Sequence, residues 1–259
     1  MAASFWEHLD ELRSVLIRCA VAWLLCAIAM FCLRDYLFAF LFAPATNHFV
    51  TYRLMRRLSE AIGWSAIAPA DMQVAFINTQ LAAPLMVHIQ AALVAGVVIA
   101  CPYILYACYG FVAPALYEKE QRYARRLITA SSLLFVAGVA LNYLIIFPFV
   151  FRMLSGYHVY EAVPNQIGLD SYIYTLLILS LILGLLFELP IVMYFLAKMG
   201  LVNAPLLSRY RKHAFVGILI LAAVITPTGD AVTLLLVTLP LYLLYLLSII
   251  IVKHTKSAE

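Results

Sequence analysis

The sequence predicts an all-α polytopic membrane protein with six transmembrane helices, the fifth and sixth of them short. Three observations predict it. Of 259 residues, 66% are hydrophobic and only 12% charged, where a soluble domain carries about a quarter charged residues. The 17 Lys and Arg and 13 Asp and Glu fall almost entirely between long apolar runs. Those runs approach the roughly 20 residues that cross about 30 Å of hydrocarbon. A soluble enzyme, a nucleic-acid binder and a disordered chain are thereby disfavoured, and the net charge of +4 speaks of topology rather than of a ligand.

The elements follow in order along one domain, residues 1–259. Residues 4–13 open with Ser4 and Glu7 at capping-box spacing, so a helix begins there. Phe5, Leu9 and Leu12 form its apolar stripe, and Glu7, Asp10 and Glu11 an acidic face, as in an amphipathic helix on the membrane surface. The first span covers residues 15–33. Residues 1–13 are acidic rather than basic, so it reads as a retained span and not a signal peptide. In the outer segment, residues 34–80, Val50, Leu54, Leu58, Ala61 and Ile62 recur at helical spacing opposite Arg53, Arg57 and Glu60. That is the pattern of a helix lying in the interface, either a lid on the span ends or a partner-binding surface. Spans two, three and four cover residues 85–109, 127–151 and 172–197. The fifth, 214–225, rises only about 18 Å as a helix. Joined by Thr226-Pro-Thr-Gly-Asp230 to the sixth, 231–252, it must form a tight hairpin. Pro102, Pro148, Pro190 and Pro240 lie within or at the ends of spans and predict kinks.

Eleven Lys and Arg residues lie on the side of the two termini and five on the other, so both termini are expected to be cytoplasmic. Arg18, one turn inside span one, can snorkel. Cys19, Cys26, Cys32, Cys101 and Cys108 sit in apolar stretches without a CxxC spacing and read as small hydrophobes, not as a metal or redox site. No HExxH, GxSxG, Walker A or GxGxxG motif occurs, which leaves no nucleophile, base or cofactor site to nominate.

Five sets of polar residues need a reason. Acids at the cytoplasmic surface are unexpected beside anionic headgroups; helix-dipole compensation accounts for Glu7 but poorly for Glu11, two turns in. Glu118 and Glu120, among Lys119, Arg122, Arg125 and Arg126, read from charge pattern as a solvated ion-pair network. Glu188 lies near the middle of span four, where a carboxylate costs about 2.5 kcal/mol or more and must face protein or water. An interhelical hydrogen bond and a functional role both explain it. His88 and Asn142 read as interhelical hydrogen-bonding residues, and Asp230 as the cap of span six.

His8-Leu-Asp-Glu-Leu-Arg13 before span one, Phe111-Val-Ala-Pro-Ala-Leu-Tyr117 followed by Glu120, Phe187-Glu-Leu-Pro190, and Ile225-Thr-Pro227 before Asp230 occur in one order and topology. In these elements, over essentially its whole length, the chain closely resembles the TatC family, the six-span core of the bacterial twin-arginine protein translocase. The resemblance implies a curved, glove-like bundle in the bacterial cytoplasmic membrane. It implies that Glu11 and Glu120 accept the paired arginines of signal peptides on folded precursors, with Arg13 and Phe111 in the same surface. Glu188 would be the membrane-embedded functional residue and Asp230 the outer-turn aspartate. Partners implied are single-span proteins of the TatA and TatB type, the lipid bilayer and further copies in a receptor complex, with transport driven by the proton gradient without nucleotide. Planar anionic acceptors for guanidinium groups suit that reading independently. A proton-coupled secondary transporter or channel would also place a carboxylate at mid-bilayer, but six spans without a repeated half count against it.

Overall fold

The computed structural model describes residues 5–63, 75–112, 124–157, 160, 165–226 and 230–256. Helix α1 runs unbroken from Phe5 to Cys32, so the acidic amphipathic segment and the first span are one helix rather than two elements. Arg18 folds back along it, its guanidinium donating to the Ser14 hydroxyl (3.2 Å) and carbonyl (3.3 Å). The charge is carried toward the helix start, as snorkelling requires.

Beyond α1 the chain forms α2 (Arg34–Phe42), a 3₁₀ turn (Ala43–Ala45) and α3 (Val50–Ile62), which ends on Gly63 at φ 70°. The two-residue strand β1 (Phe76–Ile77) then leads into α4 (Ala83–Val112). The third span is α5 (Ala124–Leu141), a π-helical turn (Asn142–Ile146) and α6 (Phe147–Gly156). Strand β2 (Ile167–Gly168) pairs in parallel with β1, Phe76 opposite Ile167, and so ties the connection before α4 to the one after α6. The fourth span is α7 (Leu169–Leu186) and α8 (Leu189–Lys198). Short α9 (Ala204–Arg209), α10 (Arg211–Ile225) and α11 (Ala231–Lys256) complete the order. Among the described residues, five helical segments are long and apolar enough to cross a membrane: Leu9–Cys32, Ala83–Phe111, Leu127–Gly156, Leu169–Lys198 and Ala231–His254.

Helix α10, with 15 residues, rises about 22 Å, and Phe215 on it meets Tyr242 on α11 at 5.2 Å. The short hairpin expected from the sequence is therefore present. The sixth span differs from expectation: α11 has 26 residues and is full length rather than short. Pro240 is accommodated inside it, as Pro102 is inside α4, since an apolar stretch flanked by helices can lose one backbone bond without ending.

Two cores hold the wall. One joins α2, α3, α4, α6 and α7 through Leu41, Phe49, Tyr52, Tyr143, Phe151 and Tyr172; the other joins α6 to α11 through Val150, Leu183, Ala222, Val237, Leu241 and Val252. Close helix approach depends on small residues, as expected where lipid supplies no hydrophobic drive. A Cβ on Gly96 would lie 2.8 Å from the Ala27 backbone, and one on Gly138 would lie 2.6 Å from the Leu183 carbonyl oxygen. Polar side chains close the remaining joints. Trp23 donates to the Leu93 carbonyl at 2.9 Å. Asn142 donates to Ser180 Oγ at 2.8 Å and to the Leu176 carbonyl at 3.3 Å, and His88 Nε2 lies 3.1 Å from the Phe31 carbonyl. These are the interhelical bonds expected of both residues.

Residues 34–63 form a lid bonded to the span ends. The hydroxyls of Tyr143 and Tyr172 donate to the carbonyls of Phe40 (2.6 Å) and Leu41 (2.9 Å). Tyr52, in turn, donates to the Pro148 carbonyl at 3.2 Å. Pro148 has no N–H to give to Leu144, four residues earlier, and the Thr51 hydroxyl donates to the Leu144 carbonyl instead.

Candidate functional site

The first candidate surface lies at the membrane face where α1 begins. Ala27 packs on Gly96, and the Cys19 and Cys108 thiols are in hydrogen-bond contact, so α1 and α4 run antiparallel. Continuing from Cys19 and Cys108 by equal helical rise puts Phe111 level with about Leu16, so Glu11 lies about a turn beyond the end of α4 at Val112. Glu11 and Arg13 are exposed on α1, and Phe111 is half-buried on α4. Glu120 lies outside the described residues. An exposed carboxylate at the end of a membrane helix can accept a guanidinium in its planar, two-bond geometry.

The second candidate is Glu188. The sequence Phe187-Glu188-Leu189-Pro190 breaks the fourth span: α7 ends at Leu186, Glu188 occupies the cap position of α8, and Pro190 sits in its first turn. Pro at that position needs no N–H partner and fits the start of a helix. The break turns the Glu188 side chain toward α5, where Ser131 Oγ donates to Oε2. Oε1 is buried without a hydrogen-bond partner among the described residues, as are Ser132 Oγ and Thr238 Oγ1. The carboxylate thus faces α5 across the start of α8. Ten residues separate it from Lys198, about 15 Å of helical rise. That places it inside the apolar segment, closer to the face of the termini than to the opposite one. Ser131, its partner, was not singled out by the sequence; its only signal is a Ser131-Ser132 pair in an otherwise apolar stretch.

Asp230 does what its cap position suggests. Its Oδ1 accepts from the backbone N–H of Val232 (3.0 Å) and Thr233 (2.8 Å), and Oδ2 accepts from the Thr233 hydroxyl. No group of three or more potential metal-ligating side chains gathers among the described residues.

The fold and these sites define a polytopic helical membrane protein whose distinctive chemistry is carboxylate, presented at one membrane face and within its wall. Its family follows from comparison with known proteins. Residues 7–240 match the family model described as Sec-independent protein translocase protein (TatC), and the chain belongs to that family. A TatC of Blattabacterium sp. subsp. Periplaneta americana is 34% identical over 258 residues, covering 98% of this chain and 97% of that protein. TatCy of Bacillus subtilis is 34% identical over 250 residues, covering 96% and 89%. A crystal structure of the twin arginine translocase receptor TatC in DDM superposes with a TM-score of 0.74 at 32% identity, over 95% of this chain and 100% of that one. This chain is thus a membrane-embedded, non-enzymatic component of a protein translocase.

Proposed function

We propose that this chain is the receptor subunit of a twin-arginine translocase. In this reading both termini are cytoplasmic in the bacterial inner membrane, α10 is the fifth of six crossings, and the face bearing Glu11 receives the Arg-Arg segment of signal peptides on folded precursors. Glu11 and Glu120 each accept one guanidinium, while Arg13 and Phe111 shape the surrounding surface. Single-span partners of the TatA and TatB type and further copies of the chain complete the complex, and the proton gradient drives export. Glu188 takes part within the membrane. Asp230 acts in the outer turn through the start of α11, which it caps.

The observation that carries the reading is an exposed acid, Glu11, on a membrane face whose other charges are mainly basic. Anionic headgroups give no reason for an acid there, whereas a dicationic peptide does. Charge-assisted bonds contribute about 1.5 to 3 kcal/mol when partly desolvated and exposed pairs about 0 to 1. Replacing Glu11 or Glu120 by Gln is therefore expected to weaken precursor capture, and the double change to depart from additivity because one short peptide spans both. Site-specific crosslinking of a precursor to the full-length protein in membranes measures this. A double Gln variant that crosslinks as well as wild type, at equal protein level, removes these residues from the recognition site.

A further inference from the structure

Helix α3 has three faces, and only one of them is explained by the fold. Tyr52 and Ser59 are buried against the protein. Val50, Leu54 and Leu58, spaced as one helical stripe, are exposed at 55%, 56% and 46%, and Ala61 continues the stripe. Arg53 and Arg57, one turn apart, are exposed along the edge of that stripe, and their side chains have no hydrogen-bond or ion-pair partner among the described residues. Arg56 is already engaged, donating to the Asn47 carbonyl, and the Arg152 guanidinium lies 5.8 Å above the Tyr52 ring. Glu60, exposed on the arginine side, is the one opposing charge on the helix.

The bonds of α3 fix its depth. The apolar third span begins at Leu127, and 20 residues of helix, about 30 Å, reach Phe147. Thr51 and Tyr52 are bonded to the carbonyls of Leu144 and Pro148, on either side of that point. The helix thus starts at the boundary between hydrocarbon and headgroups. An apolar stripe at this depth, bordered by two unengaged guanidiniums, complements a phospholipid: acyl chain against Val50, Leu54 and Leu58, phosphate between Arg53 and Arg57.

We propose that α3 is a phospholipid-binding helix that anchors the outer lid in the leaflet opposite the termini and prefers anionic headgroups. The proposal does not depend on signal-peptide recognition. It is tested on the full-length protein in nanodiscs of phosphatidylglycerol or of phosphatidylcholine, by native mass spectrometry of retained lipid and by hydrogen exchange over residues 50–62. Wild type is expected to retain phosphatidylglycerol preferentially. Replacing both Arg53 and Arg57 by Gln is expected to weaken that retention about 30-fold, and Glu60→Gln to strengthen it. Leu54→Ser with Leu58→Ser is expected to raise hydrogen exchange of α3 in both lipids without lowering the thermal midpoint. Equal retention of the two lipids, unchanged by the Arg substitutions, overturns the proposal. So does a lower oligomeric mass of the Leu54→Ser, Leu58→Ser variant than of wild type at unchanged lipid retention, which would assign the stripe to a second copy of the chain.

Discussion

Removing the Ser131 hydroxyl and removing the Glu188 carboxylate are expected to have opposite effects on stability, although they break the same hydrogen bond. Ser131→Ala leaves a carboxylate inside the apolar seam with neither oxygen bonded to a described residue, because Oε1 already lacks a partner. A hydrogen bond to a charged group is worth about 1.5 to 3 kcal/mol. At roughly 2 to 4 °C per kcal/mol for a chain of this size, the midpoint falls by about 3 to 12 °C. Glu188→Leu instead removes the poorly satisfied group, and the Ser131 hydroxyl can turn back to a carbonyl of its own helix. Replacing a whole buried charged pair by apolar residues is commonly neutral or stabilising by about 1 to 4 kcal/mol, and the single partner left here is a hydroxyl that can satisfy itself. The midpoint is therefore expected to hold or rise. Thermal unfolding of the purified full-length protein in detergent measures both variants. Export of a twin-arginine reporter, measured in parallel, is expected to be lost in Glu188→Leu despite its stability and partly kept in Glu188→Gln, which can still accept from Ser131. If Glu188→Leu unfolds at lower temperature than Ser131→Ala, or exports at the wild-type rate, the carboxylate is a structural element and the reasoning is wrong.

Asp230→Ala removes both N-terminal cap bonds of α11 and is expected to cost about 1 to 2 kcal/mol, read as a lowered midpoint with export retained below it; lost export at an unchanged midpoint would contradict a capping role. Burial pushes the Tyr52 phenol from its ordinary 10 up to about 12, against the nearby Arg152 charge, which lowers it. The folded lid thus holds this proton more tightly than the unfolded chain does. Its contribution is intact below pH 10 and is lost as pH rises toward 12. Tyr52→Phe is expected to flatten that part of the pH–stability curve while giving up the bond to Pro148, and an unchanged alkaline limb would refute the assignment.

The spans were legible because their signal is local: an apolar run of sufficient length has few alternatives once charges are confined to its ends. Legibility ended where an element depends on its neighbours. Nothing in Asn142-Tyr-Leu-Ile-Ile146 announces a π turn, and Pro148 alone does not say which donor serves the freed carbonyl; Thr51, on a helix far away in sequence, supplies it. Glu188 stood out as a charge in an apolar run, but Ser131 became its partner only through the crossing of α5 and α7 at Gly138. The continuity of α1 was hidden for another reason. The change from acidic amphipathic residues to apolar ones is a change of solvent along one helix, and composition alone does not distinguish that from a break.

Helix α3 shows how the same pattern takes its meaning from its solvent. Its periodicity correctly located the helix, and an apolar stripe on a soluble protein would be expected to turn inward. Here the inward face is Tyr52 and Ser59, joined to the span ends by a hydroxyl bond, while Val50, Leu54 and Leu58 point away from the protein. Turning the stripe inward would expose the tyrosine bond to Pro148 and take the Thr51 hydroxyl from the Leu144 carbonyl, to which proline at 148 gives no N–H. Satisfying backbone acceptors within a nonpolar medium outweighs covering three aliphatic side chains, since lipid covers those at little cost. The orientation of α3 therefore follows from Pro148, and a substitution there that restores an N–H would weaken the hold of Thr51 on the third span before it disturbed any apolar contact.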